Sequence, residues 1–146
     1  MKKFILIVMV LVVALGGVYM YKNSAKNDDS ILDDGDKSDL IMVTTPVSGA
    51  TVGSPLTVSG EARGTWYFEA SFPIDVLDTD GNVLGQGFAE AQGEWMTEEF
   101  VPFTGTITFS APTAGVTNGT VVFKKDNPSG LPENDDSVSV PVQFAN

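Results

Sequence analysis

The sequence contains neither cysteine nor histidine. The missing cysteine excludes a disulfide framework, a thiolate metal site and a lipid-modified anchor residue. The missing histidine excludes imidazole ligands and the Ser-His-Asp and Cys-His nucleophile systems. Basic residues are scarce too: from Ile41 onward only Arg63, Lys124 and Lys125 stand against thirteen acids. A surface of that charge repels nucleic acid and anionic headgroups, which excludes nucleic-acid binding and favours solubility and cations. Sustained helical periodicity is also absent beyond residue 40, so the core must be built from strands and held by packing alone.

One long apolar run is present, over residues 4–21, with Lys2 and Lys3 before it. At about 1.5 Å rise per residue this run reaches roughly 27 Å, close to the hydrocarbon thickness of a bilayer. Tyr19, Met20 and Tyr21 stand where a signal peptidase needs small residues, and Ala14 to Gly16 offers only a weak site. Residues 1–22 are therefore expected to form an uncleaved transmembrane anchor, with a removed signal peptide and a secreted product as the alternative. The two lysines belong in the cytoplasm, which sends the rest of the chain outside. Residues 23–40 carry six aspartates (Asp28, Asp29, Asp33, Asp34, Asp36 and Asp39) and read as a disordered acidic linker of roughly 23 Å reach.

Residues 41–146 have the size of one small domain. Their apolar residues recur with period two. Trp66, Phe68, Ala70, Phe72, Ile74 and Val76 fall on one face, and Tyr67, Glu69, Ser71 and Asp75 on the other. Similar alternation runs from Leu56 to Glu61, around Ile107 and Phe109, and from Val138 to Phe144, with shorter candidates at Ile41, Val83 and Thr120. Clusters of Gly, Pro, Asn and Asp separate these segments. The expected fold is all-β, an immunoglobulin-like sandwich of about seven strands preceded by one N-terminal transmembrane helix; an open barrel is the alternative. Trp66, Phe68, Phe72, Ile107, Phe109, Val121, Phe123, Val140 and Val142 are the expected core.

Few motifs suggest chemistry. DTDGN, beginning at Asp78, lacks the register of an EF-hand and reads as a hairpin turn with Gly81 at positive φ. Asn118-Gly119-Thr120 fits a glycosylation sequon and equally a turn that opens a strand. Two aromatic-rich runs hold the tryptophans: Trp66 suits the core, while Trp95, set among glycine and acids, suits either core or surface. The run KDNPSGLPENDD from Lys125 is long for a hairpin. Asp126, Asn127, Ser129 and Asn134 can close turns there and the prolines stiffen it, which predicts a folded loop that is either structural or a recognition element.

The segments TPVSGATVGSPLTVSGEARG from Thr45, WYFEASFPIDVLDTDGNVLGQG from Trp66, GEWMTEEFVPFTG from Gly93, KDNPSGLPEND from Lys125 and the closing VPVQF together resemble the bacterial immunoglobulin-like domain associated with spore-germination and sporulation proteins. That family also occurs in envelope proteins of bacteria that make no spores. The resemblance implies the sandwich fold and an accessory, non-catalytic module. In spore-formers the module often accompanies a germination domain; an anchor with one sandwich departs from that arrangement, so no germination role is implied, and no catalytic residues carry over.

The expected function is accordingly a membrane-tethered binding or structural module of the cell envelope, not an enzyme, with no cofactor and no metal. Its expected partners are the cytoplasmic membrane, through the N-terminal helix, and an unidentified envelope protein or glycan. The alternatives are a calcium-dependent adhesion module and a small carboxylate-based hydrolase using Glu69 with Asp75 or Glu94 with Glu98. Alternating strand directions bring the connection after Glu61, the one around Gly93 and the 126–137 loop to one pole, together with the linker. Arg63 is expected there as a latch on that loop, and Arg63, Trp95, Asp126, Asn127, Glu133 and Asn134 are the candidate latch or interaction residues.

Overall fold

Strand formation follows the period-two pattern. Over Leu56–Arg63 the side chains of Leu56, Val58 and Ala62 are buried while Thr57 and Glu61 face water, as a pleated strand with one dry face requires. The computed structural model of the protein describes residues 35–145. It contains eight strands: β1 (Ile41–Thr45), β2 (Ala50–Val52), β3 (Leu56–Arg63), β4 (Ser71–Asp78), β5 (Val83–Ala91), β6 (Phe100–Ile107), β7 (Asn118–Lys124) and β8 (Ser137–Phe144). The expected anchor over residues 1–22, and residues 23–34 of the expected linker, lie outside the described residues. Among the described residues no helix is long and apolar enough to cross a membrane.

Hydrogen bonds join the strands in the order β1-β3-β6-β5-β4-β7-β8-β2. Every pairing is antiparallel except that of β2 with β8. The sheet folds over at β5, which pairs with β4 from Ser71 to Leu77 but with β6 only through Ala89, Glu90 and Ala91. As a result β6 packs across the core from strands that are not its neighbours. The Phe103 ring of β6 stands edge-on to Phe72 of β4 at 5.0 Å and lies 5.9 Å from Phe123 of β7. Trp66, Phe72, Phe103, Phe123, Ile74 and Ile107 are the bulkiest fully buried side chains of this sandwich. Its two end strands, β1 and β2, do not pair with each other, so the sheet is not a closed barrel.

The strand count is eight rather than seven because the N-terminal edge is divided. After pairing with β3, the chain crosses at residues 46–49 and adds three residues beside β8, too few to display a period. β6 also lies upstream of its expected position: its buried residues are Val101, Phe103 and Ile107, and Pro102 obscures the alternation. The Pro102 carbonyl accepts from the Gln92 amide at 2.8 Å, just past the end of β5. Because a strand residue's N–H and C=O point the same way, the missing donor falls where the ladder has stopped. Phe109 has already left the sheet; its N–H donates to Ser54 Oγ, and its half-buried ring lies 5.7 Å from Phe144.

The largest correction concerns the run after Arg63. β4 begins at Ser71, not Trp66. Gly64–Trp66 makes one 3-10 turn, and Glu69 and Ala70, at φ 49° and 64°, form the centre of a two-residue hairpin that closes Phe68 onto Ser71. The intervening turns break the parity of the run. Phe68, expected in the core, is 42% exposed, and Tyr67, expected outside, is 4% exposed. Trp66, Phe72, Ile107, Val121, Phe123, Val140 and Val142 are buried as expected.

Candidate functional site

β3, β5 and β7 all end at the pole where β1 begins, so the connections 64–70, 92–99 and 125–136 gather there with residues 35–40. Backbone hydrogen bonds tie them together. The Gly64 amide donates to Glu99 O at 3.1 Å, the Asp126 amide to Trp66 O at 3.0 Å, and the Arg63 amide to Leu40 O at 2.8 Å. Tyr67, at the centre, donates its hydroxyl to Val101 O at 2.7 Å. Burial pushes its phenol well above the ordinary tyrosine range, which keeps that donor protonated. Gly64 is required by close approach: a Cβ there would lie 1.9 Å from Thr97 O and 2.2 Å from Trp95 O.

Residues 36–40, assigned by composition to the linker, fold onto the domain. The amides of Leu40 and Ile41 donate to Lys37 O, and the Lys37 ammonium reaches Asp136 Oδ1 at 2.6 Å and Ser137 O at 2.8 Å. Lys37 therefore fastens the 125–136 loop, the role expected of Arg63. Arg63 does not bond that loop. Its Nε donates to Asp39 O at 2.9 Å, one terminal nitrogen donates to Glu98 O at 3.2 Å, and its guanidinium stacks 4.0 Å over the Phe100 ring. The reason is register: Arg63 pairs with Phe100 in β6, which sets it beside the 92–99 connection instead of β7.

The 125–136 loop has a fixed internal frame. Asn127 Nδ2 donates to Leu131 O and to Asp135 Oδ1, Ser129 donates to Asn127 Oδ1, and Asn134 Nδ2 donates to Ser129 Oγ. Pro132–Asn134 completes a 3-10 turn on which Glu133 is exposed. Asp126 is half-buried, its backbone held by Trp66. Trp95 sits apart from this frame, in the 92–99 connection, half-buried with its ring edge-on to Phe68 at 6.5 Å. Of the six candidate residues, then, Asp126, Asn127, Glu133 and Asn134 share one loop, while Trp95 lies in the 92–99 connection and Arg63, at the end of β3, bonds that connection.

Beside the 125–136 loop is a groove of about 570 Å³ whose walls include Lys37, Lys124, Lys125, Asp126, Asn127 and Asp136. Two ion pairs hold charges of its wall: Lys37 with Asp136, and Lys124 with Asp75 of β4 at 2.8 Å, to which Gln86 also donates. Sequence reasoning missed both lysines' partners, since neither pair is close in the chain. The carboxylates considered for hydrolysis are engaged in local structure or set on an exposed turn. Asp75 is held by Lys124 and Gln86, Glu94 accepts from the Met96 amide, and Glu69 lies in the exposed hairpin. Among the described residues no three acids gather closely enough to hold a metal ion.

The DTDGN segment is a turn at the opposite pole. The Asp78 carboxylate accepts from the Asn82 side chain and from the amides of Asp80 and Asn82, and Gly81 has φ 81°. Those bonds, the Asn82 side chain first, hold Asp78 below the usual carboxylate range.

No curated protein and no solved structure matches the chain. One family model does, described as the immunoglobulin-like domain of bacterial spore germination, over residues 40–130. That span runs from the last residue before β1 into the frame of the 125–136 loop, and so includes most of the sandwich and the 64–70 and 92–99 connections. With an all-β sandwich beneath a match to more than half of its length, the chain belongs to the family of immunoglobulin-like domains of bacterial spore germination.

Proposed function

We propose that the protein is a non-catalytic binding module of the bacterial cell envelope, tethered to the cytoplasmic membrane by residues 1–22 and working outside it through the pole built from residues 64–70, 92–99 and 125–136. One observation carries this reading: the connections at that pole are bonded to one another and to residues 35–40, whereas an unused loop needs no such bracing. The apolar run over residues 4–21 behind Lys2 and Lys3 supports the tether. The calcium-dependent alternative has no group of three acids among the described residues to draw on. The non-catalytic reading draws on the same pole, where Asp136 is paired with Lys37 and Glu94 caps a backbone amide.

Photo-crosslinking in native envelopes tests it. A crosslinker at Ser129 should give a discrete adduct to an envelope component in the membrane fraction, and one at Asp80 of the opposite turn should not. Equal labelling at both sites, or none at either, would refute the reading.

A further inference from the structure

Phe68, Trp95 and Met96 are apolar residues at the surface of the same pole. Phe68 and Trp95 touch edge to face, and Met96 follows Trp95 with 74% of its surface exposed. A surface aromatic pair offers contact area to a partner. This one is also held rigid. The carbonyls of Trp95 and Thr97 press on Gly64, where no Cβ fits, the Thr97 amide donates to Trp95 O at 2.8 Å, and the Glu94 carboxylate fixes the Met96 amide. Phe68 is fixed by its hairpin to Ser71. The exposed side chains therefore stand on backbone that is already ordered before any partner arrives, which lowers the entropic cost of docking.

The flanks of these three residues are acidic. Glu69 follows Phe68, and Glu94, Glu98 and Glu99 belong to the connection that carries Trp95 and Met96. Among the described residues Arg63 is the cation in contact with this connection; it bonds the Glu98 carbonyl and lies 4.0 Å from the Glu99 carboxylate, leaving the balance negative. From residue 35 onward, four basic residues stand against fifteen acids, so the wider surface has the same sign. An apolar centre with a carboxylate rim does not suit anionic headgroups, and a neutral sugar gains nothing from the charge.

We propose that Phe68, Trp95 and Met96 form the docking site for a basic protein segment, one that places an apolar side chain on them and lysines or arginines on the rim of Glu69, Glu94, Glu98 and Glu99. The aromatic rings serve as anchor, as buried Trp does at many interfaces, and they offer faces to the incoming cations. The carboxylates steer the encounter and select the sign of the partner. This deepens the binding-module reading and rests on it.

The test titrates the full-length protein into a dye-labelled synthetic peptide of alternating lysine and leucine, read by fluorescence anisotropy, with the matching glutamate–leucine peptide and chitotetraose as further arms. Saturable binding of the lysine peptide is expected, weakening as salt rises, with no binding of the other two. Trp95→Ala and, independently, Met96→Ser should each weaken it by about tenfold or more. Met96 is so exposed that its substitution leaves the fold intact, which a matched thermal melt checks. Lysine-peptide binding that both variants retain, no binding at all, or binding of chitotetraose lost with Trp95 would each overturn the proposal. If the peptide fails while Ser129 still crosslinks in envelopes, the docking site falls and the binding module stands.

Discussion

Phe68 stands on an alternating run of the sequence and was expected in the core, whereas Pro102 hides the alternation around Phe103, yet the structure gives Phe103 the larger energetic role. Phe103 is 1% exposed, meets Phe72 at 5.0 Å and Phe123 at 5.9 Å, and lies so close to Gly60 that a Cβ there would stand 2.7 Å from its ring. Truncation to alanine would leave a void between the two halves of the sandwich that close-packed neighbours fill only in part. The loss is about 3–5 kcal/mol from the emptied site, with the two ring contacts included. For a domain of this size that lowers the melting temperature by on the order of 20 °C. Phe68 is 42% exposed and has one ring contact, with Trp95, so Phe68→Ala should cost about 1–2 kcal/mol. Urea unfolding of both variants, followed by near-ultraviolet circular dichroism with m-values compared, measures the difference. Equal losses, or a Phe103→Ala loss under about 1 kcal/mol, would refute the sandwich packing described above.

Gly64→Ala should be among the most damaging single-methyl additions, because the new carbon meets backbone oxygens of Thr97 and Trp95 that cannot swing away; a fall in melting temperature with a changed Trp95 emission checks it. Tyr67→Phe leaves the Val101 carbonyl without its side-chain donor and should cost about 1–3 kcal/mol at neutral pH. Since burial raises the folded pKa of Tyr67, its contribution is complete below the ordinary tyrosine value of about 10 and declines as pH rises beyond it, so alkaline melts of the wild type should lose stability that the phenylalanine variant does not. Asp78 has the opposite sign: its folded pKa is lowered, so its contribution is present above the ordinary value of about 3.9 and fades as pH falls below it, and Asp78→Ala should flatten that part of an acid titration.

Much of the fold was legible because burial on one face writes itself into the chain as alternation. β1, β5, β7 and β8 appear where the pattern and the turn residues predict them. The failures share a cause, the local interruption of that pattern. Two consecutive left-handed residues, Glu69 and Ala70, are neither glycine nor asparagine, so nothing in the run from Trp66 announced the hairpin that exposes Phe68. Pro102 concealed β6, and β2 is too short to carry a period. At the pole, the internal frame of the 125–136 loop was readable from its Asn, Ser and Pro content, which bonds locally. The latch was not. Lys37 and Asp136 are 99 residues apart, and the choice between Lys37 and Arg63 is made by strand register, which places Arg63 opposite Phe100.

Binding through a prebuilt platform requires that the 64–70, 92–99 and 125–136 connections be ordered together in the free protein. Native-state amide hydrogen exchange by NMR measures this most directly. The amides of Gly64 and Asp126, each bonded to a carbonyl in a different connection, should exchange as slowly as amides inside β3 and β6 and should lose protection together when Gly64 is replaced by alanine. Exchange at both sites as fast as in unprotected loops, or loss of protection at Gly64 alone, would mean three independent loops and would contradict the platform.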